Sequence, residues 1–431
     1  MILPIARARS AANSPQWPES RRTAPDPGRS TPRSLPELPR GCGESWTASE
    51  DSWLNAGRAA TQGSAMNENL SAPPESGTWH GVQIYYAAEK DDLVLECLRP
   101  LFARMPAEAE RMFFVRHWLR GPHLRLCFRA PEPVFREVIR PEVESAANRY
   151  LAEHPSTARV DERELLATHR EVARQERESG PLAPFHPDNS IQHAPHDRRI
   201  HVLGSEAAAT LLEAFYHETN ELVFEMLDQV RAGRSRVGLA ADLMIATAHA
   251  MWPGIDRGFI SYRSHAEGFI VRAPDPVARR EFCVQQYRSQ AAVLRERLVG
   301  VLDCVERGGT DVPFVAEWVR LLGRFRSTAE PLIGSGELSF AGAVAPDAVQ
   351  SWDPGMLEHS TFHRLLQGDG GRMADLQRDP GFLGFRFALN YLYLHLNRIG
   401  VLPVERFLLC HLIADAVEEH YGISANDFVA S

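Results

Sequence analysis

Arg111-Met112-Phe113-Phe114-Val115-Arg116-His117-Trp118 runs through Leu119-Arg120-Gly121-Pro122 into His123-Leu124-Arg125-Leu126-Cys127-Phe128-Arg129. Two apolar-rich runs flanking a Gly-Pro turn predict an antiparallel hairpin. With Trp118 paired to His123, Arg116 falls opposite Arg125. Alternation then places Phe114, Arg116, Trp118, His123, Arg125 and Cys127 on one face. Two arginines directly across a ladder repel unless an anion or a carbonyl-rich group lies between them. A guanidinium grips a carboxylate or peptide carbonyl through paired donors, so this face is a candidate substrate surface. Glutamates of the protein itself are the competing partners.

Order spreads outward from the hairpin. Trp79 to Tyr86 has strand character, and Asp91–Met105 has helical spacing through Leu93, Val94, Leu98 and Leu101. Val134–Ala152 reads as a helix, and Val160–Gly180 as a short strand followed by a helix. Pro181–Arg199 is rich in Pro, His and Asp and reads as a loop. Helical patterns follow at Glu206–Ala232, Leu239–Met251, Pro276–Glu306 and Pro313–Arg326. Two closing helices, Phe382–Arg398 and Pro403–Tyr421, are separated by Gly400 as a cap and Pro403 as a first-turn residue. The expected class is α+β: small antiparallel hairpins packed with many helices in one catalytic domain, residues 78–431. Residues 1–77 hold ten of the thirty prolines and no sustained periodicity. Such a segment buries too little apolar surface to offset its ordering entropy, so it reads as a disordered tail, with Met66 an alternative start.

Composition removes several mechanisms. Net charge is -9, which disfavours nucleic-acid binding. No apolar run is long enough for a membrane span, and the first residues lack the order of a secretory signal, so a cytoplasmic protein is expected. The six cysteines form no CxxC pair and read as reduced thiols. Lys90 is the sole lysine. No P-loop follows from it, and its place in Ala88-Glu89-Lys90-Asp91-Asp92 reads as an exposed turn unsuited to a Schiff base.

Three further stretches carry chemistry. Gly258-Phe259-Ile260-Ser261-Tyr262-Arg263-Ser264-His265-Ala266-Glu267 gathers hydroxyls, a phenol, a guanidinium, an imidazole and a carboxylate, all suited to proton transfer. The plain alternative is a capping and turn segment. Without a GxSxG elbow, a serine hydrolase is disfavoured. On the penultimate helix, His395 and Arg398 share a face, although a histidine in an apolar helix is most often core. In and beside the loop, His186, His193, His196 and the nearby His201 match no metal-binding spacing, and Asp197 is the loop's most useful group. No metal and no cofactor are expected.

Taken together, these stretches resemble a family. Phe113-Phe114-Val115-Arg116-His117, Gly121-Pro122-His123-Leu124-Arg125-Leu126, and His395-Leu396-Asn397-Arg398 followed by Glu405 look like the paired strands and closing helices of the lanthipeptide dehydratase C-terminal family. The resemblance spans roughly residues 79 to 421. One branch eliminates glutamate from glutamylated Ser or Thr; there Arg116 and Arg125 would hold the glutamyl carboxylate and His395 would move protons. A second branch, the thiopeptide pyridine synthases, joins two dehydroalanines in a formal aza-[4+2] cycloaddition and expels water and leader peptide. A third extends peptides with aminoacyl-tRNA. The eliminating and tRNA-using branches carry a Y-x-x-E…R-Y-G-G stretch, and Pro187 to Gly204 stands in its place here. The Ser-Tyr-Arg-Ser-His-Ala-Glu run is more similar to the pyridine-synthase side.

The resemblance therefore implies a cofactor-free pyridine synthase acting on a precursor peptide, a leader joined to a dehydrated, azole-bearing core, with a pathway dehydratase as a further partner. Tyr262, Ser261 and Ser264 are expected to shuttle protons, Asp197 to assist elimination and His395 to transfer protons. Arg116, Trp118, His123, Arg125, Arg263, His265 and Arg398 are expected to hold the peptide. The alternatives are a stand-alone glutamate-eliminating lyase and a non-catalytic scaffold that binds leader peptide.

Overall fold

The computed structural model describes residues 77–176, 178, 180–338, 354–368, 375–376 and 378–430; the proposed tail and the Met66 start lie outside them. Four strands, β1 (Thr78–Tyr85), β2 (Arg111–His117), β3 (His123–Ala130) and β4 (Ser190–Ala194), form an antiparallel sheet in the order β2-β3-β1-β4. Most of the remaining described chain is helical: α1 (Arg140–Glu153), α2 (Glu162–Glu176), α3 (Glu206–Glu218), α4 (Asn220–Arg231), α5 (Arg236–Ala250), α6 (Ile255–Val271), α7 (Pro276–Arg307), α8 (Val315–Ser335), α9 (Thr361–Gln367), α10 (Pro380–Arg398) and α11 (Pro403–Tyr421). This is the α+β arrangement that the sequence predicts. Among the described residues, no helix is long and apolar enough to cross a membrane.

The helix starts are written locally. Asp275 and Asp379 accept backbone N–H bonds at the N-termini of α7 and α10, each followed by proline in the first turn. Gly258 lets α6 approach α5, since a Cβ there would collide with the Ala248 carbonyl. Val82, Ile84, Phe114, Leu124, Leu126 and Phe128 form the fully buried face of the sheet, and α10 lies against β2.

Four expectations need correction. The hairpin pairs His117 with His123, Arg116 with Leu124 and Val115 with Arg125. That register is one residue away from the predicted one, because Trp118 leaves the ladder and Arg120 and Gly121 take positive φ in a wider turn. A one-residue slip sends alternate side chains to opposite faces, so Arg116 and Arg125 do not share one. The strand expected near Val160 is absent; the fourth strand is Ser190–Ala194, within the segment read as loop, recruited by the edge of β1. The helix expected over Glu206–Ala232 breaks at Thr219, whose hydroxyl donates to the Phe215 carbonyl at 2.7 Å. Finally, Lys90 is half-buried rather than exposed, and its amine donates to the Ala88 carbonyl.

Candidate active site

The polar face of the sheet carries the first group. Tyr85, His123 and Arg125 project from β1 and β3, with His117 at the end of β2. Tyr85 lies 4.6 Å, ring to ring, from both His123 and His186, and Trp118 lies 4.9 Å from His169. His123 Nδ1 meets the Gly121 carbonyl at 2.9 Å, which must be an N–H donation. Its Nε2 therefore keeps a lone pair. Among the described residues, that Nε2 and the Nε of Arg125 are buried without a hydrogen-bond partner. Burial, together with Arg125, pushes His123 down to about 3 and keeps it neutral. Arg125 is half-buried and suits a peptide carbonyl, whereas His123 has no exposed surface and lies beneath it.

Arg116 lies elsewhere. It donates to the Arg398 carbonyl at 3.0 Å, to Glu89 at 3.1 Å and to Asp91 at 2.5 Å. Asp91 also pairs with Arg236 at 2.5 Å. Gly400, with φ of 82°, closes this knot, since a Cβ would collide with the Arg236 guanidinium. The protein's own carboxylates thus occupy Arg116.

The second group sits on α6, where Gly258–Glu267 is helical throughout rather than a turn. Ser261, Ser264 and His265 are half-buried along one stripe, whereas Tyr262 faces the core. The Tyr262 hydroxyl donates to the Met244 carbonyl at 2.6 Å, and burial raises its pKa well above the ordinary phenol value. Arg263 points toward α11 and pairs with Asp415 at 2.6 Å and Glu418 at 2.5 Å. His265 Nδ1 lies 2.8 Å from the Tyr393 hydroxyl of α10. Ser264 Oγ lies 3.2 Å from His363 Nε2 of α9. His363 was not legible as a site residue, because it is remote in sequence and sits in a short helix of ordinary composition.

The third group is internal. His395 has no exposed surface; its ring lies 4.8 Å from Trp318 and its Nε2 is 3.3 Å from the Met226 sulfur. Burial, and then Arg398, pushes it down to about 3. Arg398 donates to the carbonyls of Phe114 and Tyr216, to the Thr219 hydroxyl and to the Asn220 side chain. Glu405 accepts from Leu402 N at 2.8 Å and closes the start of α11. Asp197 is exposed in the loop after β4, where it accepts from Arg199 N at 2.8 Å. Of the loop histidines, His193 pairs with Glu144 at 2.8 Å, and His196 bridges Cys127 and Glu213 at 3.3 and 3.0 Å.

Comparison with known proteins bears on the family directly. The sequence profile described as "Lantibiotic biosynthesis dehydratase C-term" matches residues 79–417. The chain belongs to this family. The lantibiotic dehydratase C-terminal fold is also seen in solved structures. "Pyridine synthase, TbtD, from thiomuracin biosynthesis" matches with 34% identity and a TM-score of 0.66, over 80% of this chain and 100% of that one. TsrL matches with 24% identity and a TM-score of 0.61, over 82% of this chain and 98% of that one, a likeness of fold alone. No curated protein sequence matches.

Proposed function

We propose that this family member is a pyridine synthase: it joins two dehydroalanines of a modified precursor peptide, expelling water and the leader peptide. The observation that carries the reading is the 34% identity to a pyridine synthase whose whole length is matched. The half-open Ser261–Ser264–His265 stripe supplies hydroxyls for the chemistry. The peptide bond before one dehydroalanine tautomerises to an imidic acid, giving a 2-azadiene that meets the second alkene. Holding both alkenes together supplies most of the acceleration, because ring closure of a long chain is chiefly an entropic problem. Ser264 and Ser261 carry protons, and Arg125 orients amide carbonyls on the sheet face, with His123 supporting it from within. Tyr262, His395 and Arg398 act from the core as supports, and Asp197 serves the elimination from its loop. Soluble, cytoplasmic operation with a pathway dehydratase upstream completes the reading.

The test is incubation of the protein with two substrates in separate tubes, followed by mass spectrometry. A dehydrated, azole-bearing precursor should yield a cyclised core and free leader. Loss of glutamate from a glutamylated precursor, with no cyclisation of the first, would instead make the protein a lyase. Leader binding without any conversion would make it a scaffold.

A further inference from the structure

Ser264 stands at the open end of a buried chain of hydrogen bonds. His363 Nε2 lies 3.2 Å from Ser264 Oγ, and His363 Nδ1 lies 2.9 Å from Ser360 Oγ. Ser360 Oγ in turn donates to Glu267 Oε2 at 3.2 Å. Glu267 is gripped from outside by both terminal nitrogens of Arg280, at 2.6 and 2.8 Å. His363 and Ser360 have no exposed surface.

The direction of every bond in this chain follows from one fact. An ionised carboxylate only accepts, so the single Ser360 proton is committed to Glu267. Arg280, then Arg263 and Ser360, hold Glu267 in that ionised form, below the usual carboxylate range despite burial. Ser360 Oγ must then accept from His363 Nδ1, as it also accepts from the His363 backbone N–H at 3.2 Å as the cap of α9. His363 is fixed as the Nδ1–H tautomer. Its Nε2 lone pair faces Ser264, whose hydroxyl donates to it. Burial pushes His363 down to about 4, against the opposing pull of Glu267, so at neutral pH the lone pair is present.

We infer that His363 is a positioning residue that makes Ser264 a proton carrier, with Ser360 and Glu267 fixing its tautomer. This rests on the pyridine-synthase reading. In the tautomerisation step, the substrate amide N–H proton passes to Ser264 Oγ as the Ser264 proton passes to His363 Nε2. The imidazolium so formed is stabilised through Ser360 by the Glu267 carboxylate. The reverse transfer, from His363 through Ser264, delivers a proton to the former carbonyl oxygen. The substrate gains an imidic acid and the protein recovers its starting protonation, so no external acid or base is consumed. The relay joins a residue of one short helix to a half-open hydroxyl on α6.

Two measurements test this. Nitrogen NMR of the protein carrying ¹⁵N-labelled histidine reads the tautomer without substrate: the Nδ1–H form of His363 is expected, and an Nε2–H form would overturn the relay. Kinetics with the dehydrated precursor then compares His363→Asn, Ser360→Ala and Ser360→Thr. His363→Asn should lower kcat about 100-fold with KM little changed. Ser360→Ala should fall between it and the unmodified enzyme, and Ser360→Thr, which restores the hydroxyl, should recover activity. Unchanged kcat in folded His363→Asn would overturn the relay and leave the pyridine synthase standing. No cyclised product from the unmodified enzyme would overturn that reading, and the catalytic step proposed here with it.

Discussion

Arg398 Nε of α10 donates to the Phe114 carbonyl of β2 at 2.9 Å, so one guanidinium fastens the penultimate helix to the sheet. Its remaining nitrogens reach Tyr216, Thr219 and Asn220, where α3 gives way to α4. Removing such a side chain strands several buried acceptors and opens a large void. Arg398→Ala should cost about 3–5 kcal/mol of stability in urea unfolding, a loss that Arg398→Lys does not restore because one ammonium cannot span the same acceptors. A loss below about 1 kcal/mol would mean that the network is not structural.

The two hairpin arginines should behave oppositely. Arg116 is bound by Asp91, Glu89 and the Arg398 carbonyl, so Arg116→Ala should lower stability by about 2–3 kcal/mol. Arg125 is half-buried and meets the His117 ring at 3.4 Å rather than a carboxylate, so Arg125→Ala should leave stability within about 1 kcal/mol and raise KM roughly tenfold. Unfolding curves and steady-state kinetics on both variants check this; equal effects would restore the shared face that the register denies.

On α6, the phenol and the hydroxyls separate cleanly. Tyr262→Phe removes one buried bond to Met244 and should cost about 1 kcal/mol of stability with little change in kcat. Ser264→Ala should lower kcat by about 100-fold with no change in melting temperature. If Tyr262→Phe abolished turnover while remaining folded, the phenol would be reaching the substrate by a rearrangement of α6.

Acid should unfold the protein through its core histidines. Burial pushes His123 and His395 down to about 3 and His363 to about 4. Below pH ~6.5 the unfolded chain binds protons that the folded one refuses, so stability falls by about 1.4 kcal/mol per pH unit for each histidine until the folded values are reached. His196 has the opposite sign. Burial opposes its charge, but Cys127 and Glu213 outweigh that and raise it to about 9. Its contribution is complete below pH ~6.5 and is lost as pH rises through about 9. Urea midpoints from pH 5 to 9.5 should therefore fall at both ends, and His196→Gln should remove the alkaline decline alone.

Much of the fold was legible because strong local signals agree with the packing: Asp379-Pro380 starts α10 and Gly400-Val401-Leu402-Pro403 divides it from α11. The β4 strand was not legible, since Ser190-Ile191-Gln192-His193-Ala194 lacks alternation and takes its conformation from β1. The hairpin register was not legible because the turn is wider than its Gly-Pro pair suggests: Arg120 and Gly121 take positive φ, and Trp118 leaves the ladder with its ring 4.9 Å from His169. Among the proposed site residues, Ser261, Ser264 and His265 stand out in the sequence by their clustering. Their orientation does not, because whether a polar run in α6 faces the core depends on α5 and α11. His363 had no local signal at all: its role rests on a contact to Ser264 across ninety-nine residues.

Cyclisation with leader release has a mass balance that neither proteolysis nor deglutamylation shares. Elimination of the leader breaks the bond between the second dehydroalanine nitrogen and its α-carbon, so the nitrogen departs with the leader. Mass spectrometry of a reaction with the dehydrated, azole-bearing precursor should therefore show a leader ending in a carboxamide, together with a core lighter by that leader and one water. A leader ending in a carboxylate beside a linear core would be simple proteolysis, and an intact precursor beside a deglutamylated control would be a lyase; either result would rule out a pyridine synthase.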